Sequence, residues 1–106
     1  MHNEVTGLDH VVICVHDLER ARSTYSRLGL VLTPRGHHTL GSQNHCIMFG
    51  HDYIELLAVP RPHPANQYFT DFLSGGDGLA AIALACDDAD ATHAAFQRAG
   101  IGAAAP

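Results

Sequence analysis

With 106 residues, of which 46% are hydrophobic and 16% charged, the chain has the make-up of a single globular domain and is too apolar to stay disordered. A formal net charge of −5, with only six Lys and Arg dispersed along the chain, leaves no basic stripe to neutralise a phosphate backbone and argues against a nucleic-acid partner. No apolar run approaches the ~20 residues that cross a bilayer, so no membrane span is expected.

The first element in chain order is a strand over residues 8–15, where β-branched residues dominate between Gly7 and Asp17. A helix follows. Asp17 stands where an N-cap carboxylate accepts the free N–H groups of the first turn. Leu18, Ala21, Tyr25 and Leu28 recur at helical spacing, and Gly29 supplies the left-handed residue that ends the element. Further strands are predicted over residues 31–35, 45–49 and 53–59, with turns at 36–44 and 50–52, the second short enough for a hairpin. Pro60, Pro62 and Pro64 stop the last strand and stiffen a linker, and residues 66–73 fit a short helix before the Gly-rich turn at 75–78.

The opening of the chain then recurs. Gly7-Leu8-Asp9-His10-Val11 and the residues up to Asp17 align without a gap on residues 78–88, and Tyr25, Arg27 and Gly29 fall on Phe96, Arg98 and Gly100. The chain thus divides into a first βαβββ module at 7–59, a Pro/Gly-rich linker at 60–77 and the β-α start of a second module at 78–106. The strands that would complete the second module are expected either from a longer natural protein or from another chain. The first is favoured, because a β-α stub leaves a strand edge unpaired. The fold class that follows is α+β, a mixed cupped sheet with helices on its convex face.

Cys14, Cys46 and Cys86 are odd in number, widely spaced and set in apolar segments, as expected of free thiols in a reducing compartment. Met1-His2-Asn3-Glu4 lacks the charged-then-apolar build of a signal peptide, so a cytoplasmic location is expected.

A repeated βαβββ module that opens on Leu8-Asp9-His10-Val11-Val12 and starts its helix at Asp17-Leu18 is one part of a recognisable pattern. With Leu28-Gly29-Leu30, Gly41-Ser42-Gln43-Asn44 and Tyr53-Ile54-Glu55-Leu56 in that order, the chain resembles the glyoxalase-like domains of the vicinal-oxygen-chelate superfamily. The likeness covers residues 7–59, and the repeat carries it to residue 101. It implies a small-molecule ligand but not one chemistry, since the fold serves isomerases, lyases, dioxygenases and metal-free drug-binding proteins alike. In metal-dependent members, one ligand comes from the first strand of a module and a carboxylate from its last, which correspond to His10 and Glu55 here. The divalent ion implied is Zn, Mn, Ni, Co or Fe; metal-free members imply no cofactor. Members place two modules edge to edge, which implies a homodimer for this chain.

The residues themselves lead to the same pair. Strand alternation puts His10, Val12 and Cys14 on one face, and Tyr53, Glu55 and Leu57 share a face of the last strand. If the helices cover the aliphatic faces, His10 and Glu55 converge on the concave side, where a carboxylate is costly to bury unless it is paired or bound to a metal. Three functions stay open. One is a metal-assisted lyase or isomerase acting on a small oxygen-rich substrate, with His10 and Glu55 as ligands or Glu55 as the catalytic base. Another is a metal-free binding module in which the His10–Glu55 pair lines the cup. The third is a degenerate structural module of a longer protein.

Ala81, the counterpart of His10 in the second module, has no donor, so a third ligand would have to be His45, His38 or a residue of another chain. Asn44, Tyr53 and His38 are the candidate substrate contacts. Turn capping, packing and solvent exposure are their respective structural alternatives, and a core histidine is the alternative for His45.

Overall fold

The computed structural model of the chain describes residues 5–105; residues 1–4, on which the signal-peptide expectation falls, and Pro106, the last residue of the expected second module, lie outside the described residues. Strand β1 is Val5–Cys14, helix α1 Leu18–Arg27, strands β2, β3 and β4 are Gly36–His37, Gln43–Met48 and Tyr53–Ala58. A 3-10 turn at Pro64–Asn66 leads into helix α2 at Gln67–Leu73, and strand β5 (Gly78–Cys86) and helix α3 (Ala89–Arg98) follow. The strands form one open mixed sheet in the order β2-β3-β4-β1-β5. In it β1 is parallel to β4, and every other neighbouring pair is antiparallel. The α+β class expected from the sequence is the class observed.

The expected helix signals are the ones in use. Asp17 accepts a hydrogen bond from the backbone N–H of Arg20 at 3.0 Å, and Asp88 accepts one from Ala91 at 3.0 Å. Gly29 and Gly100 follow their helices with φ of 89° and 76°, a region that L side chains enter only with strain.

The sequence repeat is also a repeat of structure. On the β1–β5 ladder His10 pairs with Ala83, Val11 with Ile82 and Val12 with Ala81. Residues 10, 11 and 12 are the repeat counterparts of residues 81, 82 and 83, so a pseudo-twofold axis passes through the Val11–Ile82 pair.

Each face of the sheet has its own core. Val15, Leu56 and Ala58 pack against Leu18 and Ala21 of α1, with Ile13, Ile54 and Tyr25 beside them. On the other face Val12, Cys14, Leu57 and Ala80 pack against Leu73 of α2, joined by Phe69 and Phe72. Burying these side chains removes apolar area from water at roughly 25 cal/mol per Å², which fixes α1 over one face and α2 over one end of the other. The remainder of that second face carries His10 and Glu55.

The strand expected at 31–35 does not form, and its place at the sheet edge is taken by the two residues of β2, where the sequence predicts a turn. Pro34 explains the difference, because it has no N–H to give to a ladder. Thr33 and Arg35 still bond to β3: the Thr33 N–H donates to the Cys46 carbonyl at 2.8 Å, its hydroxyl accepts from the Cys46 N–H at 2.8 Å, and the Arg35 guanidinium donates to the Gln43 side-chain oxygen at 3.3 Å.

A candidate site around His10 and Glu55

Two registers bring the site together. In the parallel β1–β4 pair His10 lies opposite Tyr53 and Val12 opposite Glu55, while in the antiparallel β3–β4 pair Cys46 lies opposite Glu55. The imidazole Nε2 of His10 stands 3.7 Å from Oε1 of Glu55, with the two side chains 19% and 16% exposed. At that distance they are neighbours across a gap rather than hydrogen-bonded partners. Both have their outer atoms tied down. His10 Nδ1 donates to the carboxylate of Asp9 at 2.7 Å, and Glu55 Oε2 accepts from Nδ2 of Asn44 at 2.8 Å. Tyr53 stacks on the His10 ring with centroids 4.4 Å apart and planes 8° from parallel.

The surroundings keep their protons. Burial, and then the nearby Glu55 carboxylate, push the Cys46 thiol above its ordinary value. Burial first, then the charges of Asp9 and Glu55, do the same to the Tyr53 phenol. Cys14, deeper on the same face, is pushed up to about 11 by burial, with Glu55 and Asp77 adding to the effect. The face therefore presents a bare carboxylate oxygen and an imidazole nitrogen among neutral O–H and S–H groups. A cleft of about 180 Å³ opens beside His10 and Tyr53, walled by Leu8 and Phe49. Larger hollows along α1, lined by residues such as Arg20 and Thr24, hold none of these groups.

His45 does not join the site. It pairs with Leu56, whose side chain belongs to the core under α1, so it faces away from Glu55. There it is buried, with Nδ1 donating to the Thr33 carbonyl at 2.8 Å and Nε2 without a partner. Period-two alternation along β3 sends neighbouring residues to opposite faces, so His45, the expected third ligand, does not share the face of His10 and Glu55. His38 is exposed in the loop after β2, its Nδ1 sharing a hydrogen bond of 2.5 Å with the Ser42 hydroxyl. Among the described residues no hydrogen bond links it to His10 or Glu55. Asn44 is placed to orient Glu55, and Tyr53 to brace His10.

Three further residues belong to this constellation. Asp9 and Cys46 contribute as described, and Gly36 matters through what it lacks, since a Cβ there would overlap the Asn44 side-chain oxygen. Cys46 is the cross-strand partner of Glu55, a pairing that the register of β3 on β4 decides. The roles of Asp9 and Gly36 depend on details of register that no sequence pattern signals.

The model of one family, described as a glyoxalase-like domain, matches residues 8–105. The chain belongs to the glyoxalase-like domain family. None of the curated proteins matches it by sequence. Among solved structures, methylmalonyl-CoA epimerase from Mycobacterium tuberculosis is similar at 27% identity and a TM-score of 0.76, over 94% of this chain and 68% of that one. A methylmalonyl-CoA epimerase of Streptomyces coelicolor, in complex with 2-nitronate-propionyl-CoA, is similar at 24% identity and a TM-score of 0.77, over 92% and 74% of the two chains. A hypothetical protein from Bacillus halodurans shares the fold at 23% identity and a TM-score of 0.74, over 88% and 67%. The glyoxalase-like fold is thus held in common with proteins that are isomerases by name, and no helix of the described residues is long and apolar enough to cross a membrane.

Whether the site suits a divalent ion can be asked of its donors. Two donors each about 2.0–2.2 Å from one ion stand no more than about 4.3 Å apart. The 3.7 Å between His10 Nε2 and Glu55 Oε1 meets that limit. The outer hydrogen bonds from Asp9 and Asn44 are of the kind that orient metal ligands. The pair fits two positions of a coordination sphere; among the described residues no third His, Cys, Asp or Glu completes a group.

Proposed function

We propose that this chain is a metal-assisted isomerase module acting on a small oxygen-rich molecule, with His10 and Glu55 as its two ligands to a divalent cation. The observation that carries the reading is the orientation of the pair: Nδ1 and Oε2 are occupied by Asp9 and Asn44, while Nε2 and Oε1 face each other across 3.7 Å. The likeness to methylmalonyl-CoA epimerases supports isomerisation over the lyase alternative. A cation held there by His10 and Glu55 would supply Lewis-acid stabilisation to a substrate oxygen that gains negative charge. Asn44 holds the carboxylate in one rotamer, Tyr53 fixes the plane of the imidazole, and the Tyr53 and Cys46 side chains, held neutral, add no charge beside Glu55. The small cleft walled by Leu8 and Phe49 takes an apolar part of the substrate.

A second copy of the chain belongs to this reading. Strand β5 has a neighbour on one edge only, and Leu79, Ile82 and Leu84 are each more than half exposed, so a homodimer covers apolar surface and brings further donors. The three cysteines are free thiols, in keeping with a cytoplasmic protein, and the partner is a small molecule rather than nucleic acid.

The test is titration of metal-free, untagged protein with Co(II), followed by visible absorption and by thermal melting. Wild type is expected to bind and gain stability, and His10→Ala and Glu55→Gln to lose both effects. Binding unchanged in both variants would sink the reading.

The alternative is a metal-free binding module. One observation favours it: Ala81, paired with Val12 on the same face, offers a methyl group where the repeat has His10. Ligand binding that survives His10→Ala without any metal effect would select it.

A further inference from the structure

We propose that Asp9 is the positioning residue of His10: set by a bulge in β1, its carboxylate keeps the ring proton on Nδ1 and leaves Nε2 bare toward Glu55. The inference rests on the reading of His10 and Glu55 as the polar centre of the site. Regular strand geometry would turn Asp9 away from His10, because adjacent side chains point to opposite faces. The strand is not regular there. Leu8 pairs with Leu84 and His10 with Ala83, so Asp9 is an extra residue with no partner on β5. Bulges of this kind re-aim side chains and increase local twist. In this one Asp9 Oδ2 comes to 2.7 Å from His10 Nδ1.

The repeat contains an internal comparison. Val12 pairs with Ala81 and Ile13 with Leu79, which makes Ala80 the extra residue of β5. Ala80 is the counterpart of Asp9, just as Ala81 is the counterpart of His10. Ala80 is buried in the cluster that contains Val12 and Cys14, so the second bulge brings its residue onto the face that bears His10. Both copies have the backbone device. Only the first uses it to bring a carboxylate to an imidazole.

An ionised carboxylate can only accept, so a contact of 2.7 Å requires the hydrogen on Nδ1. Glu55 Oε1, at 3.7 Å, is too far from Nε2 to compete for that hydrogen. Nε2 therefore keeps its lone pair, available to a cation or to a proton of the bound molecule. Tyr53, stacked on the ring, prevents it from rotating out of this arrangement.

The experiment is ¹⁵N NMR of the His10 ring in metal-free wild type, Asp9→Ala, Asp9→Ser and Asp9→Asn, at alkaline pH where the imidazole is neutral. Wild type is expected as the Nδ1–H tautomer. Asp9→Ala and Asp9→Ser, two variants so that one misfolded protein does not end the test, are expected to move to Nε2–H once no carboxylate holds the proton on Nδ1. Asp9→Asn, whose amide oxygen still accepts, is expected to restore Nδ1–H. A wild-type ring protonated on Nε2, a tautomer unmoved in Asp9→Ala or Asp9→Ser, or one not restored in Asp9→Asn would overturn the proposal. Co(II) affinity is measured alongside, with a loss of about 10–100-fold expected in Asp9→Ala. Failure of wild type to bind Co(II) defeats the cation reading alone, because the tautomer is read without metal.

Discussion

Asn44 holds Glu55 by one oxygen: its Nδ2 donates to Oε2 at 2.8 Å, and the other oxygen, Oε1, is the one that faces His10. The amide thus decides which lone pairs of the carboxylate are left for a ligand. Asn44→Ala removes a charge-assisted bond to a largely buried acceptor, and a loss of about 1–3 kcal/mol in urea-unfolding stability is expected. Binding of Co(II) should weaken at the same time.

Gly36 is paired with Asn44 across β2 and β3, and the space above it holds the Asn44 side-chain oxygen. Gly36→Ala is expected to displace the amide and weaken Co(II) binding about as much as Asn44→Ala does. The double variant should then be no worse than either single one, because both remove the same contact. Fully additive losses would show that Gly36 acts by another route.

His45 separates the two faces of β3 experimentally. His45→Ala leaves the Thr33 carbonyl without its donor and opens space beneath α1, so a destabilisation of about 1–3 kcal/mol is expected. Cation affinity should not change. A parallel fall in affinity would place the ring on the same side as Glu55 and contradict the register.

Cys14 gives the pH dependence. Its thiol is raised from an ordinary 9.0 to about 11 in the folded protein, so the folded state holds this proton more tightly than the unfolded chain does. The associated stability is fully present below pH 9.0 and is lost as the pH rises through about 11. The slope for one proton is at most about 1.4 kcal/mol per pH unit. Urea melts of wild type and Cys14→Ala over this range check it: the difference between the two should shrink with rising pH.

The apolar side of β5 bears on assembly. Light scattering coupled to size exclusion is expected to give a dimer, and Ile82→Glu together with Leu84→Glu to shift it toward monomer, since charges on a contact face oppose its burial. A wild-type monomer at all concentrations would remove the dimer from the proposal.

The sequence by itself determined the local and periodic features of this protein. Asp17, Asp88, Gly29 and Gly100 mark helix ends because capping needs only a few contiguous residues. The match of residues 7–17 to 78–88 shows the repeat because equivalent strands need equivalent apolar patterns. Alternation was also enough to separate the residues of β1 that share the face of His10 from those under α1. Tertiary structure alone decided the pairings between strands. Pro34 moved an edge strand beyond residue 35, β3 turned His45 under α1, and a single extra residue in β1 brought Asp9 onto its neighbour. The reason is that a shift of one residue in register reverses the face of a side chain, and register is set by contacts between segments far apart in the chain.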